Sequence, residues 1–367
     1  MSQGAEARGP ASSRFAGAGP RRQGLERGAF LGHEGRVRTP LTIALLSFDR
    51  PDYLHRVVRS LVAQLVPGDE VFLFQDGGWN PFSGNRKASE GVIEACVRVF
   101  SSSWGDLKSV ERSVFRSPVN LSIAGNYRRA EQYIFEALGR DAAVLLEDDL
   151  VLGPHYLGAI ADLLGIAAEE PRIGYVTAYG DFGAPLSEQR KLADQLIPMH
   201  ENWGAALTRA SWLAQRPVRE RYWELVKEAD YSQRDHEAIY ALYQGMGYRC
   251  HVSSQDASRW VACRAAGMVR LTTATCHARY IGTREGLTNV GGLARRNSFP
   301  SARSCEDQPT MSSTHGSALM RRRSPKVTCI RIRGPERSRL RRADEGRGAA
   351  KAPTRRTRPS STARLAT

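Results

Sequence analysis

The chain has 367 residues, with 53 Lys and Arg against 38 Asp and Glu and a formal net charge of +15. That excess sits at the ends: residues 1–39 carry net +4, residues 293–367 net +14, and residues 40–292 net −3. A basic nucleic-acid groove inside a folded domain is therefore disfavoured, and no stretch approaches the roughly 18 uninterrupted apolar residues that a membrane helix needs. The N-terminus has no apolar block of the kind a secretory signal carries. The six cysteines form no C-x-x-C pair, which suits free thiols in a reducing compartment better than zinc or disulfides. The expectation is a soluble, cytoplasmic protein.

Residues 1–39 read as a disordered basic N-terminal extension and 293–367 as a disordered polycationic tail. Both combine low apolar content with high charge and cannot bury enough surface to offset chain entropy. Between them, strands and helices alternate. Thr42–Phe48 is a continuous apolar run, the pattern of a strand buried on both faces. A helical stripe comes next through Leu54, Val57, Val58, Leu61, Val62 and Leu65, stopped by Pro67-Gly68. Val71–Gln75 predicts a second strand ending in Asp76-Gly77-Gly78. A helix around 90–100, a short strand at Ser113–Arg116 and a helix near 123–138 come after it. Ala142–Leu146 is then a strand running into Glu147-Asp148-Asp149. A further helix carries Tyr156, Leu157, Ile160, Leu163, Leu164 and Ile166, and another starts near Ala210. This order predicts an α/β fold with a mainly parallel sheet flanked by helices.

Ligands in such sheets bind beyond the carboxyl ends of the strands. Three polar clusters fall there: Asp49-Arg50, Asp76-Gly77-Gly78 and Glu147-Asp148-Asp149. Hard oxygen ligands at a strand end suit Mg2+ or Mn2+, with a diphosphate completing the shell. The competing role, capping the next helix, is weakened because Gly153-Pro154 already marks that helix start. Asp76 could accept hydrogen bonds from a base or ribose, or form an ordinary Asp-Gly turn. Arg50 could contact a nucleotide, while Asp49 could cap a helix. Trp203, beside Gly204, is either a stacking wall for a sugar or a core residue. Asp235 is either a general base or, through Ser232-x-x-Asp235, part of a helix cap.

In this order these residues resemble nucleotide-sugar glycosyltransferases of the GT-A (Rossmann-like) fold, in particular the alpha-1,3-mannosyl-glycoprotein N-acetylglucosaminyltransferase type and bacterial glycosyltransferase family 2 relatives. The likeness is carried by Leu46–Arg50, Phe74–Gly78, Ser122–Arg128, Val144–Leu150 and Glu201–Gly204, and covers roughly 42–225. It implies a donor half at about 40–155 and an acceptor half at about 156–292. By resemblance, Arg50 and Asp76 contact the uridine and Asp149 binds Mn2+ or Mg2+. Glu147 and Asp148 line the donor sugar and ribose. Asn126 stands where that type has a donor-contacting His. The catalytic base falls near Glu224, with Asp235 and Asp230 as rivals.

The implied reaction is metal-dependent, inverting transfer of a sugar from a UDP-sugar, UDP-GlcNAc among the candidates. The acceptor hydroxyl would belong to a glycan, a lipid-linked molecule or a small molecule. Two other readings compete. One is a non-catalytic protein that binds nucleic acid or another anion through its basic tail, although the tail lacks interleaved aromatics. The other is a nucleotidyltransferase, which expects a Gly-rich loop after the first strand. Here that strand ends in Ser47-Phe48-Asp49-Arg50-Pro51.

Overall fold

Three apolar strands, β1 (Thr42–Ser47), β2 (Glu70–Gln75) and β6 (Ala142–Glu147), and a more polar edge strand, β5 (Glu111–Arg116), organise the molecule. The computed structural model describes residues 38–105, 107–180, 184–282 and the strand Ile330–Arg331. The expected extensions 1–39 and 293–367 lie outside the described residues, apart from Arg38, Thr39 and that strand.

In chain order, α1 (Pro51–Val62) follows β1, and the hairpin β3 (Trp79–Asn80) and β4 (Asn85–Arg86) follows β2. Helix α2 (Glu90–Ser102) leads to β5, and α3 (Ser122–Gln132) continues into a π-helical turn, Tyr133–Ala137, before β6. The second half contains β7 (Leu150–Leu152), α4 (Tyr156–Glu169), β8 (Ile173–Thr177), α5 (Leu186–Lys191), β9 (Gln195–Pro198) and β10 (Ala206–Thr208). It continues with α6 (Arg209–Val226), a 3-10 turn at Tyr231–Gln233, α7 (His236–Gly245), α8 (Gln255–Ala265), β11 (Val269–Thr273), β12 (Ala278–Tyr280) and β13 (Ile330–Arg331).

Nine strands form one sheet in the order β13-β9-β11-β8-β10-β6-β1-β2-β5. Strands β5, β2, β1 and β6 are mutually parallel, and β10 is inserted antiparallel between β6 and β8. Strand β11 runs parallel to β8, while β9 is antiparallel to β11 and to β13. Seven of the nine strands therefore point one way. This is the mainly parallel α/β arrangement expected from the order of strands and helices in the sequence.

The two-residue period of a strand divides the core. Ile43, Leu45, Val71, Leu73, Val144 and Leu146 pack on one face with residues of α1, α2 and α4. Ala44, Leu46, Phe72, Phe74, Ala143 and Leu145 pack on the other with residues of α3, its π turn and α6. A third cluster joins α3, α6, α7 and α8 through Tyr222, Ile239, Tyr243 and Trp260.

Strand register brings the polar clusters together. Ser47 pairs with Gln75, and Leu46 pairs with Glu147, so β1, β2 and β6 end at one level. The three polar clusters thus share one rim of the sheet. Among the described residues no helix is long and apolar enough to cross a membrane. Cys96, Cys263 and Cys276 are free thiols, but Cys250 is disulfide-bonded, which corrects the expectation of free thiols throughout.

Candidate functional site

A cavity of about 450 Å³ opens at that rim. This is within the range of small-molecule sites, roughly 300–1,000 Å³. One wall comes from the β1 and β6 ends (Phe48, Arg50, Glu147, Asp148), the opposite wall from Asp76, Asn120 and Asn126. Asp230, Tyr231 and Ser232, with Lys87, close a third side.

On the first wall Arg50 donates from Nη1 to Asp149 Oδ2 at 2.7 Å and from Nη2 to Asp148 Oδ1. The Phe48 backbone N–H donates to Asp148 Oδ2 at 3.1 Å. Both aspartates are buried whereas Arg50 is partly exposed. Burial pushes the Asp148 carboxyl up to about 6, although Arg50 pulls it down. Glu147 accepts a 2.8 Å hydrogen bond from the Tyr127 hydroxyl. Its carboxyl is raised by burial and then by the nearby charges of Asp149 and Asp256.

Asp149 tests whether these residues suit a divalent cation. Its Oδ1 is buried and has no hydrogen-bond partner, while Oδ2 is held by Arg50. Among the described residues no group of three or more His, Cys, Asp or Glu side chains is placed to hold a metal. Cations that accompany a diphosphate need only one or two protein carboxylates. Asp149 fits such a role alone, in competition with Arg50. The backbone also runs close by, since a Cβ added at Gly282 would lie 2.7 Å from Asp149 Oδ2.

Opposite, Asp76 is buried and heavily engaged. Its Oδ1 accepts from the N–H groups of Gly77 and Leu121 at 2.9 and 2.8 Å, and Oδ2 accepts from Asn120 Nδ2 at 2.9 Å. Burial nevertheless pushes this carboxyl up to about 7. The two glycines after it serve the chain itself. A Cβ at Gly77 would meet the Val119 backbone at 2.5 Å, and one at Gly78 the Ala88 oxygen at 2.4 Å. Asn126 lines the cavity, but its amide donates to the Phe74 carbonyl at 2.9 Å and accepts from Arg129 Nε at 2.7 Å. Both ends of that side chain therefore have partners within the protein. Ser122, at the start of α3, lines the same wall with φ of 61°, the one described non-glycine residue in the left-handed region.

The three carboxylates considered as catalytic base separate clearly. Glu224 is exposed on α6 and ion-paired with Lys227 at 2.7 Å. Asp235 caps α7, its Oδ1 accepting from the Ala238 N–H at 2.9 Å, and it too is exposed. Neither lines the cavity. Asp230 does: it is buried, paired with Lys87 at 2.5 Å, and accepts from the Ser232 N–H and hydroxyl. Burial acts to raise the Asp230 carboxyl, but Lys87, Ser83 and Ser232 outweigh it and hold the group well below the usual carboxylate range.

Trp203 is not in the lining either. Its ring stacks face to face on Tyr280 with centroids 4.2 Å apart and meets Tyr179 edge-on at 4.9 Å. The packing role therefore describes it. Lys87 and Asn120 join the site without any signal in the sequence, whereas Ser122 begins a stretch that carries the resemblance, Ser232 belongs to a candidate helix cap and Asp230 is a rival base. No local pattern marks the first two, because each reaches the cavity only through tertiary packing.

No known family profile matches the chain, and no curated protein does. Solved structures do. One is S. aureus TarS residues 1–349, also in a complex with UDP, at 8% identity and TM-scores of 0.35 and 0.37. The overlap covers 65% of this chain and 60% of that one, so this chain spans about three-fifths of the structure it matches. An active-site mutant of LgtC shares 15% identity at a TM-score of 0.29, over 55% of this chain and 70% of that one. The glycosyltransferase GlyE of Streptococcus pneumoniae TIGR4 shares 14% at 0.30, over 56% and 43%. Overlaps this slight carry no argument about donor or acceptor.

Proposed function

We propose that the chain transfers a sugar from a nucleotide-sugar donor, a UDP-sugar first among them, to an acceptor hydroxyl with inversion at the anomeric carbon. The observation that carries this reading is the cavity at the sheet rim. Arg50 and Asp148 line one wall, with Asp149 outside the lining and bonded to Arg50, and a separate buried carboxylate, Asp230, stands on another side.

In this reading the partly exposed Arg50 guanidinium meets the donor diphosphate, an anion its planar fork suits. Asp76 keeps Leu121 and Asn120 in place and presents its remaining lone pair to the base or ribose. A divalent cation, held through Asp149 Oδ1, would offset charge developing on the departing diphosphate. Asp230 takes the proton of the acceptor hydroxyl while that oxygen bonds to the anomeric carbon. The electron pair of the breaking C–O bond leaves with the nucleoside diphosphate. Asp230 replaces Glu224 and Asp235 in this role because it alone of the three faces the cavity.

Calorimetric titration of UDP into the full chain, with Mn2+ and then with EDTA, tests the donor site. Metal-dependent binding that Asp149→Asn removes is the expected result. Equal binding in EDTA would leave the diphosphate to the side chains alone and discard the metal, while no binding in either condition would discard the uridine donor. The base is tested separately by Asp230→Asn. This variant should lower kcat about 10²–10⁴-fold with UDP affinity unchanged, and unchanged kcat would overturn the assignment.

A further inference from the structure

Tyr127, whose hydroxyl holds Glu147 at the main cavity, also lines a second, smaller one of about 40 Å³ between α3, α6 and α8. Its charged lining consists of Arg128, Glu131, Arg216, Arg219, Glu220 and Arg259. Arg219 and Arg259 share one carboxylate, each donating from Nη2 to a different oxygen of Glu131. Arg128 pairs with Glu220 at 2.7 Å, and Arg216 with Glu136 at 2.8 Å. The four guanidinium groups therefore share three carboxylates, Glu131 and Glu220 in the lining and Glu136 outside it. The next acid, Asp256, faces both Arg259 and Arg270, so it does not remove the excess.

That excess falls on groups that water screens poorly. The Arg259 side chain is 2% exposed and that of Arg219 15%. On each of them Nη1 is buried without a hydrogen-bond partner. A buried charge without a counter-charge is among the most costly arrangements in a protein interior. Water could satisfy the N–H groups but not the charge. A single water needs about 10–15 Å³ of such space, so the cavity also has room for a small ion.

We propose that this cavity binds a small monovalent inorganic anion, chloride being the abundant one, through Nη1 of Arg219 and Arg259. Burial, with Arg259 and Arg128 nearby, works against the charged form of Arg219, and a bound anion would offset that cost. The anion would also steady Arg259, whose guanidinium lies 3.8 Å from the centre of the Tyr127 ring. Through Tyr127 the effect reaches Glu147. The site is independent of the sugar-transfer reading, and its test uses no nucleotide.

Thermal unfolding of the full chain is compared in sodium chloride and sodium gluconate at equal ionic strength. Chloride should raise Tm by on the order of 2–4 °C, in a saturable way, and bromide should replace it. Arg219→Met, which removes the excess charge, should abolish the difference. Crystals grown in sodium bromide should show an anomalous peak beside Arg219 and Arg259, a result that needs no variant to fold. Equal Tm in both salts, a shift that survives in Arg219→Met, or bromide crystals without that peak would each overturn the proposal.

Discussion

At the scale of single residues, the charge states of the site make its stability depend on pH. Asp76 has its carboxyl at about 7, far above an ordinary aspartate, because burial outweighs its N–H donors. A raised acid binds more protons folded than unfolded, so stability falls as pH rises through the interval between the two values. Unfolding midpoints in denaturant should therefore drop between about pH 4 and 7. Asp76→Asn, which mimics the protonated form, should flatten that slope, and an unaltered slope would show that other groups cause it. Glu224 supplies the opposite case. Tyr222 and Val226 are buried one helical turn apart on α6, so a side chain midway between them points to the other side. Glu224→Gln should therefore leave turnover unchanged in a transfer assay, and a loss of turnover would restore Glu224 as the base.

The elements explain how much was legible. Strands β1, β2 and β6 are buried on both faces, and a doubly buried strand writes itself as an unbroken apolar run. Their ends could be read, and with them Arg50, Asp76, Glu147, Asp148 and Asp149. Strand β10 has three residues and runs antiparallel between parallel neighbours. A segment that short carries no measurable period, and nothing local gives its direction. Lys87 and Asp230 meet on one side of the cavity from distant parts of the chain, so neither marks the other in sequence. Elements also yield two stability tests. Asp235 caps α7, and Asp235→Ala should cost about 1 kcal/mol in denaturant unfolding while leaving turnover intact. Gly204, just before β10, has φ of +63°, and a Cβ there would lie 2.1 Å from the Tyr156 hydroxyl oxygen. Gly204→Ala should cost more, about 2–4 kcal/mol from backbone strain and the displaced tyrosine, measured in the same experiment.

For the molecule as a whole, the position of β10 has a consequence for how the protein is made. Residues 40–155 supply β5, β2, β1 and β6 but leave the outer edge of β6 unpaired until Ala206–Thr208 emerge and dock against it. An uncovered apolar edge strand is a template for pairing between chains. During synthesis the nascent first half must therefore wait, with that edge open, for a strand encoded far downstream. The two halves are consecutive in sequence but interlocked in space, so neither can be borrowed as a module: a fragment ending at 155 should self-associate rather than bind a nucleotide as a monomer.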